Sequence, residues 1–299
     1  MIKSESAAKR YALRIRQMFH ESDEQRDADL RTPEDVERFD NILYGQDCPE
    51  WQCLDVYRPK GKEGPLPVIL SVHGGGWVYG DRNVYQYYCM SLAQFGFAVV
   101  NFSYRLAPEY TYPASLEDFN SVCLWISENR ERFGFDADHV FAVGDSAGAH
   151  MLCLYCCALS DQEFRSSVHF PVQDQLRFRA VALNCGVYDP DAADPGIQGL
   201  IQVLLPKEST PLYRRELNTC LHISEAFPPV FLMAANDDNL NRQTLLLKPV
   251  LEEHRVPFVY RMYGTEDHPL PHVFHCNMNL QDAYLCNKDE TDFFHSFCD

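Results

Sequence analysis

Positive charge is scarce in this sequence of 299 residues. Lys and Arg number 26 against 43 Asp and Glu, a formal net charge of −17 with histidine neutral. So acidic a chain repels phosphate backbones and anionic lipid surfaces, and no Lys/Arg-rich run interrupts the pattern, so no nucleic acid is expected as a partner. Long apolar runs are missing as well: none reaches the ~18 residues that a membrane span requires. The first ten residues carry Lys3, Glu5, Lys9 and Arg10 and lack an apolar core with a small-residue cleavage site, which argues against a secretory signal. Internal repeats, low-complexity segments and linkers rich in Pro, Gly or Ser are also absent. One domain, 1–299, with decorations and a sizeable core is the expectation.

Cysteine, by contrast, occurs twelve times. Several of these residues, such as Cys153, Cys156 and Cys157, lie in apolar runs, where cysteine acts as a small hydrophobe. The Cys153-x-x-Cys156 spacing suggests zinc, but no second Cys or His pair follows at finger-like spacing. A buried helix face is therefore the preferred reading, and no metal site is expected. Reduced thiols without a signal give a cytoplasmic protein as the expectation.

Residues 4–20 have helical periodicity, with Ala8, Tyr11, Ala12, Ile15, Met18 and Phe19 on one face. A helix start is expected at Thr32-Pro33-Glu34. From Trp51 onward short apolar runs alternate with helical spacing. The candidate strands are Leu54–Tyr57, Val68–Val72, Ala98–Tyr104, Val140–Val143, Ala180–Asn184, Val230–Ala234 and Phe258–Tyr263. Helical segments are expected at 83–94, 115–132, 147–159, 242–254 and 288–297. Such alternation predicts an α/β fold, a parallel sheet covered on both faces. The nearly unbroken apolar run Val68–Val72 suits a doubly covered strand. Residues 186–227 are irregular and look like an excursion out of the sheet.

Two motifs carry chemistry. Gly144-Asp145-Ser146-Ala147-Gly148 follows an apolar strand and opens a helical stretch, the setting of a nucleophile elbow that presents a serine hydroxyl above a sheet. His73-Gly74-Gly75-Gly76-Trp77 follows the run at 68–72. Three consecutive glycines are unfavourable in chain entropy and suit a backbone that must offer bare N–H donors to a ligand. Upstream of a nucleophile elbow they read as an oxyanion loop, with the Ala147 N–H as a further donor. A serine nucleophile needs a base, and the base needs an orienter, in the chain order Ser, Asp or Glu, His. Asp237 and Asp238 follow the strand at 230–234, and His268, His272 and His275 follow the strand ending near Tyr263. The pattern alone does not choose between the two aspartates or among the three histidines. Arg105, beside a sheet end, is expected to be scaffold, orienting Asp118 or a backbone carbonyl.

The set His73-Gly-Gly-Gly, Tyr104-Arg105-Leu106-Ala107-Pro108-Glu109, Tyr112-Pro113-Ala114 and Gly144-Asp-Ser-Ala-Gly resembles the hormone-sensitive-lipase-like (family IV) esterases of the α/β-hydrolase superfamily. The similarity runs from about Leu54 to the end of the chain. In that family an Asp-Pro-Leu segment supplies the acid and a His-Gly-Phe segment the base. This chain has Asp238-Asn239-Leu240 and His272-Val273-Phe274, departing at each middle residue. The resemblance thus implies Ser146, Asp238 and His272 as catalytic residues, and Gly75, Gly76 and Ala147 as the oxyanion hole. It further implies an α/β-hydrolase fold, a mostly parallel central sheet with helices on both faces and a small helical cap. The cap is expected from about 1–40 and 186–227. The activity implied is hydrolysis of a small, short-acyl carboxylic ester, with no cofactor. Two alternatives stand beside it: an amidase such as an arylformamidase, since His73–Trp77 also fits a His-Gly-Gly-x-Trp loop, and a catalytically silent ligand-binding protein on the same fold. The expected partner is the small-molecule ester itself, with neither nucleic acid nor membrane span, and a homodimer is left open.

Overall fold

The computed structural model describes residues 5–206 and 211–298. In chain order the helices are α1 (Glu5–Asp27), α2 (Gln86–Gln94), α3 (Ala114–Glu128), α4 (Arg130–Phe133), α5 (Ala147–Ser160), α6 (Gln162–Ser167), α7 (Pro195–Leu204), α8 (Pro211–Leu217), α9 (Asn241–Glu253) and α10 (Gln281–His295). The strands are β1 (Val36–Leu43), β2 (Cys53–Pro59), β3 (Leu66–Val72), β4 (Ala98–Phe102), β5 (Phe135–Asp145), β6 (Val181–Asn184), β7 (Val230–Ala235) and β8 (Phe258–Tyr263). They form one eight-stranded sheet in the order β1-β2-β4-β3-β5-β6-β7-β8. From β4 to β8 all neighbours are parallel, while β1 pairs with β2, and β2 with β4, antiparallel.

The alternation of side chains along a strand divides the core into two layers. Val68, Leu70 and Val72 of β3 join one cluster with residues of α3, α5 and α9, whereas Ile69 joins the other with residues of α2 and α10. The central strands are thus covered on both sides, and β3, β4 and the Val140–Val143 part of β5 are apolar almost throughout. The expected α/β fold is present. Cys153, Cys156 and Cys157 are fully buried on α5, where they serve as packing residues.

The chain departs from the sequence expectation before Trp51. The helix start expected at Thr32 gives way to β1, an edge strand. Asn41 takes a positive φ of 60° and donates its N–H to Asp55 Oδ1 at 2.7 Å. The strand register shifts between Phe39 and Ile42, which breaks the period-two pattern that would betray a strand. Two helices are longer than their apolar periodicity suggested: α1 continues to Asp27 and α10 begins at Gln281. In α10 the polar Asn287, Glu290 and Thr291 are fully enclosed, so the buried face does not read as apolar.

Candidate active site

The elbow is shaped by backbone crowding. Ser146 sits between the end of β5 and the first residue of α5 with φ 51° and ψ −114°, outside the regions comfortable for a side chain. A Cβ at Gly144 would lie 2.7 Å from the Gly148 carbonyl carbon, and one at Gly148 only 2.0 Å from the Val72 carbonyl oxygen. No side chain fits at either position. The Ser146 N–H donates to the Asn184 carbonyl at 2.9 Å, tying the elbow to β6. Ala147, as the first helical residue, offers an N–H without an intrahelical acceptor.

Beside the elbow lies the glycine loop after β3. Gly75 and Gly76 have φ of 103° and 62°. The Gly74 N–H donates to the Tyr85 hydroxyl at 2.9 Å, and that hydroxyl donates to Asp145 Oδ2 at 2.7 Å. The loop is thereby fastened to the residue that precedes Ser146. Burial pushes the Asp145 carboxyl up to about 6, although the Tyr85 hydrogen bond and the charge of His272 oppose it. His73 lies against Tyr104, ring centroids 3.9 Å apart, and its Nδ1–H donates to the Gly74 carbonyl at 2.8 Å. Burial lowers its imidazole to about 4. His73 is scaffold for the loop.

The loops after β7 and β8 bring one aspartate and one histidine together. His272 Nδ1 lies 2.9 Å from Asp238 Oδ2, and the Leu240 N–H donates to Asp238 Oδ1 at 2.7 Å. The Asp238 side chain is almost wholly buried while that of His272 is 37% exposed. Burial alone would raise the Asp238 carboxyl. The hydrogen bond and charge of His272, the Leu240 N–H and the Cys185 thiol outweigh it and hold the group below its usual range. Asp237 is exposed and donates its N–H to the Leu270 carbonyl. His268 points to solvent and pairs with Asp282 at 2.9 Å. His275 is fully enclosed, not a solvated loop residue, and burial drives its imidazole down to about 3. Of the three histidines, His272 is the one that lines the cavity over Ser146.

That cavity measures about 480 Å³. Ser146, Gly75, Gly76, Asp238 and His272 form its floor and wall, so the structure brings five of the six expected residues to one space, with Ala147 adjoining through Ser146. The cavity is also lined by Phe19, Asp23 and Arg26 of α1 and by Ile197 and Leu200 of α7. Arg105 holds Asp118 through Nε at 3.0 Å and the Ala114 carbonyl through a terminal nitrogen at 3.0 Å, as expected for scaffold.

Four supporting residues escaped the sequence reading. Tyr85 carries no motif. Asn184 and Cys185 stand at the end of β6, where an open α/β sheet places its functional groups, so their position was a usable signal. Glu290, fully buried on α10, accepts from the Asn184 amide at 2.6 Å and from the Tyr88 hydroxyl at 3.0 Å. Burial pushes its carboxyl up to about 7. It buttresses the strand end that holds Ser146.

The chain is similar to several known proteins. Versiconal hemiacetal acetate esterase of Dothistroma septosporum is 42% identical over 94 residues, 31% of this chain and 29% of that protein. Esterase LipC of Mycobacterium tuberculosis is 33% identical over 150 residues, 50% of this chain and 36% of that protein. The chain thus spans about a third of the length of these curated relatives. Among solved structures, Esterase B of Lactobacillus rhamnosis, crystallised with a tributyrin phosphonate, superposes with a TM-score of 0.90 at 28% identity, covering 99% of this chain and 96% of that one. The BD-FAE family matches residues 54–248, well over half of the sequence. A serine on a strained strand-to-helix turn, a glycine loop beside it and an Asp–His pair on one cavity stand on a mostly parallel sheet: the chain has the α/β-hydrolase fold and belongs to the BD-FAE family.

Proposed function

We propose that this protein is a serine hydrolase of small, short-acyl carboxylic esters, grouped with the hormone-sensitive-lipase-like (family IV) esterases. The observation that carries the reading is that Ser146, on its strained elbow, lines the same cavity as the Asp238-paired His272. Asp238 engages Nδ1 and so leaves Nε2 of His272 as the nitrogen available to accept the Ser146 proton. Ser146 Oγ attacks the acyl carbon, and the N–H groups of Gly75, Gly76 and Ala147 receive the developing oxyanion, each donor contributing about 3 kcal/mol. His272 then returns the proton to the departing alcohol. A water activated by the same imidazole cleaves the acyl-serine, releasing the acid.

The cap belongs to this proposal. Of the cap expected from about 1–40 and 186–227, residues 36–40 belong instead to β1 in the sheet, and 1–4 and 207–210 lie outside the described residues. The roof proposed for the acyl pocket of this single domain is therefore α1 with the described part of 186–227, a role that the α1 and α7 residues on the cavity support. The roof limits the acyl chain and excludes bulk water. That Esterase B was crystallised with a tributyrin phosphonate supports a short acyl group. A cytoplasmic setting is proposed on the twelve cysteines, none of them in a disulfide among the described residues. Among those residues no helix is long and apolar enough to cross a membrane.

Labelling with a fluorophosphonate probe tests the reading. The wild type is expected to be labelled and Ser146→Ala to be blank, with p-nitrophenyl acetate turned over faster than N-formylkynurenine. An unlabelled wild type overturns the serine mechanism, and the reverse substrate order makes the protein an amidase.

A further inference from the structure

Cys185 brings a third kind of ligand to the Asp238–His272 pair. It follows β6 directly, is wholly buried and holds a positive φ of 49°, the left-handed region that a side chain rarely adopts. The ligand atoms of Cys185, Asp238 and His272 all lie within 4.8 Å of one another. A tetrahedral zinc ion, with bonds of about 2.0–2.3 Å, separates its ligand atoms by about 3.3–3.8 Å. The cluster therefore needs only a small adjustment to close on such an ion. Thiolate, imidazole and carboxylate are also a donor set that zinc and cadmium favour.

We propose that Cys185, Asp238 and His272 form a binding site for a thiophilic divalent cation, Zn²⁺ or Cd²⁺, whose occupation arrests the hydrolase. This rests on the assignment of His272 as the base. The ion bonds to the Cys185 sulfur, an Asp238 oxygen and His272 Nδ1. The thiol proton passes to solvent, and the imidazole proton moves from Nδ1 to Nε2. With Nε2 protonated, the ring cannot accept the proton of Ser146. His272 is part-exposed in the cavity, which gives the ion a path and a water for its fourth ligand.

A second cluster, Asp145, His275 and Cys276, satisfies the same distance limit. All three of its members are buried, and the positive charge of Arg26 acts on each of them. Its enclosure gives an ion no part-exposed ligand to enter by, unlike His272 in the first cluster.

The test separates binding from catalysis. Ser146→Ala protein, which keeps the cluster, is titrated with Cd²⁺ while thiolate-to-metal charge-transfer absorption is followed, and with Zn²⁺ by calorimetry. One equivalent is expected, lost when Cys185→Ser is added. In parallel, Zn²⁺ is expected to inhibit ester hydrolysis by the wild type. Cys185→Ser and Cys185→Ala, each compared with its own metal-free rate, are expected to raise the inhibitory concentration by at least about tenfold, and Cys276→Ser to leave it unchanged. Absence of the thiolate band, equal inhibition in the Cys185 variants, or transfer of the effect to Cys276→Ser overturns the proposal. If the wild type hydrolyses no ester, the functional reading fails, while the Cd²⁺ titration still decides the site.

Discussion

The floor of the cavity and the helix proposed as its roof are built by opposite means. The floor is backbone against backbone: Gly144 against Gly148, Gly148 against Val72, and Ser146 hung from Asn184. The roof is held by side chains. Arg16 of α1 reaches the carbonyls of Val78 at 2.7 Å and Ala107 at 3.0 Å and pairs with Glu109 at 2.6 Å, while Arg26 reaches the Val84 carbonyl at 3.0 Å. Leu13 and Met18 on the same helix are half exposed. Close backbone packing admits one geometry and no substitution, whereas a helix tethered by long side chains can be resized without disturbing the sheet. Under the proposed function, the reaction is thereby assigned to the floor and its selectivity to the proposed roof.

The severest way to break this comparison is Ser146→Ala. Hydrolysis is expected to fall by about 10⁴-fold or more, with a residual over water from the oxyanion donors. The circular dichroism spectrum stays that of the wild type. More than a few per cent of residual activity means that the floor does not hold the nucleophile. Next comes Asp238→Asn, which favours the wrong imidazole tautomer and is expected to lower kcat by roughly 10³–10⁴-fold. Exposed Asp237→Asn is expected to lower it less than about tenfold. Steady-state kinetics on p-nitrophenyl acetate gives both numbers, and a reversed order moves the acid to Asp237.

Removal of residues 1–30 sharpens the other side of the comparison. It takes away α1 but spares β1, so the sheet is expected to remain folded. The profile over p-nitrophenyl esters of increasing chain length is expected to shift toward longer acyl groups. A folded truncation with an unaltered profile makes α1 ordinary scaffold.

The smallest expected effect is at Glu290, beneath the floor. Its folded carboxyl is pushed up to about 7 from 4.5, first by burial. Between those values the unfolded chain has released a proton that the native state retains, so stability falls as pH rises. The contribution is complete below about 4.5 and lost as pH passes through about 7. Glu290→Gln does not titrate. Its melting temperature relative to wild type is expected to rise by a few degrees between pH 5 and pH 8, and a constant difference contradicts the assignment.

The strands from β2 to β8 were legible because each contains a short apolar run, from Val68–Val72 in β3 to Val230–Ala234 in β7, set apart by helical spacing or by Gly and Pro. β1 was not, because an edge strand is half solvated and Glu37, Arg38 and Asp40 dominate it. Its bulge at Asn41 further scrambles the alternation. The first half of α10 was hidden for the opposite reason, since buried Asn287 looks like a surface residue until its amide is seen to donate to the His275 carbonyl at 3.1 Å.

What the sequence determined by itself is what is local. Gly144–Gly148 and His73–Gly76 name the elbow and the loop because the steric demand acts within five residues and leaves glycine no substitute. The residue pattern left two aspartates and three histidines open, and only the resemblance pointed to Asp238 and His272. The tertiary structure brings that pair into contact, leaves His268 facing solvent and sets Cys185 within reach of both. Those residues come from the ends of β6, β7 and β8, and chain spacing does not encode distance across a sheet. Only the parallel register that lays the three strand ends side by side, about 4.8 Å from strand to strand, converts separations of 34 and 53 residues into contact.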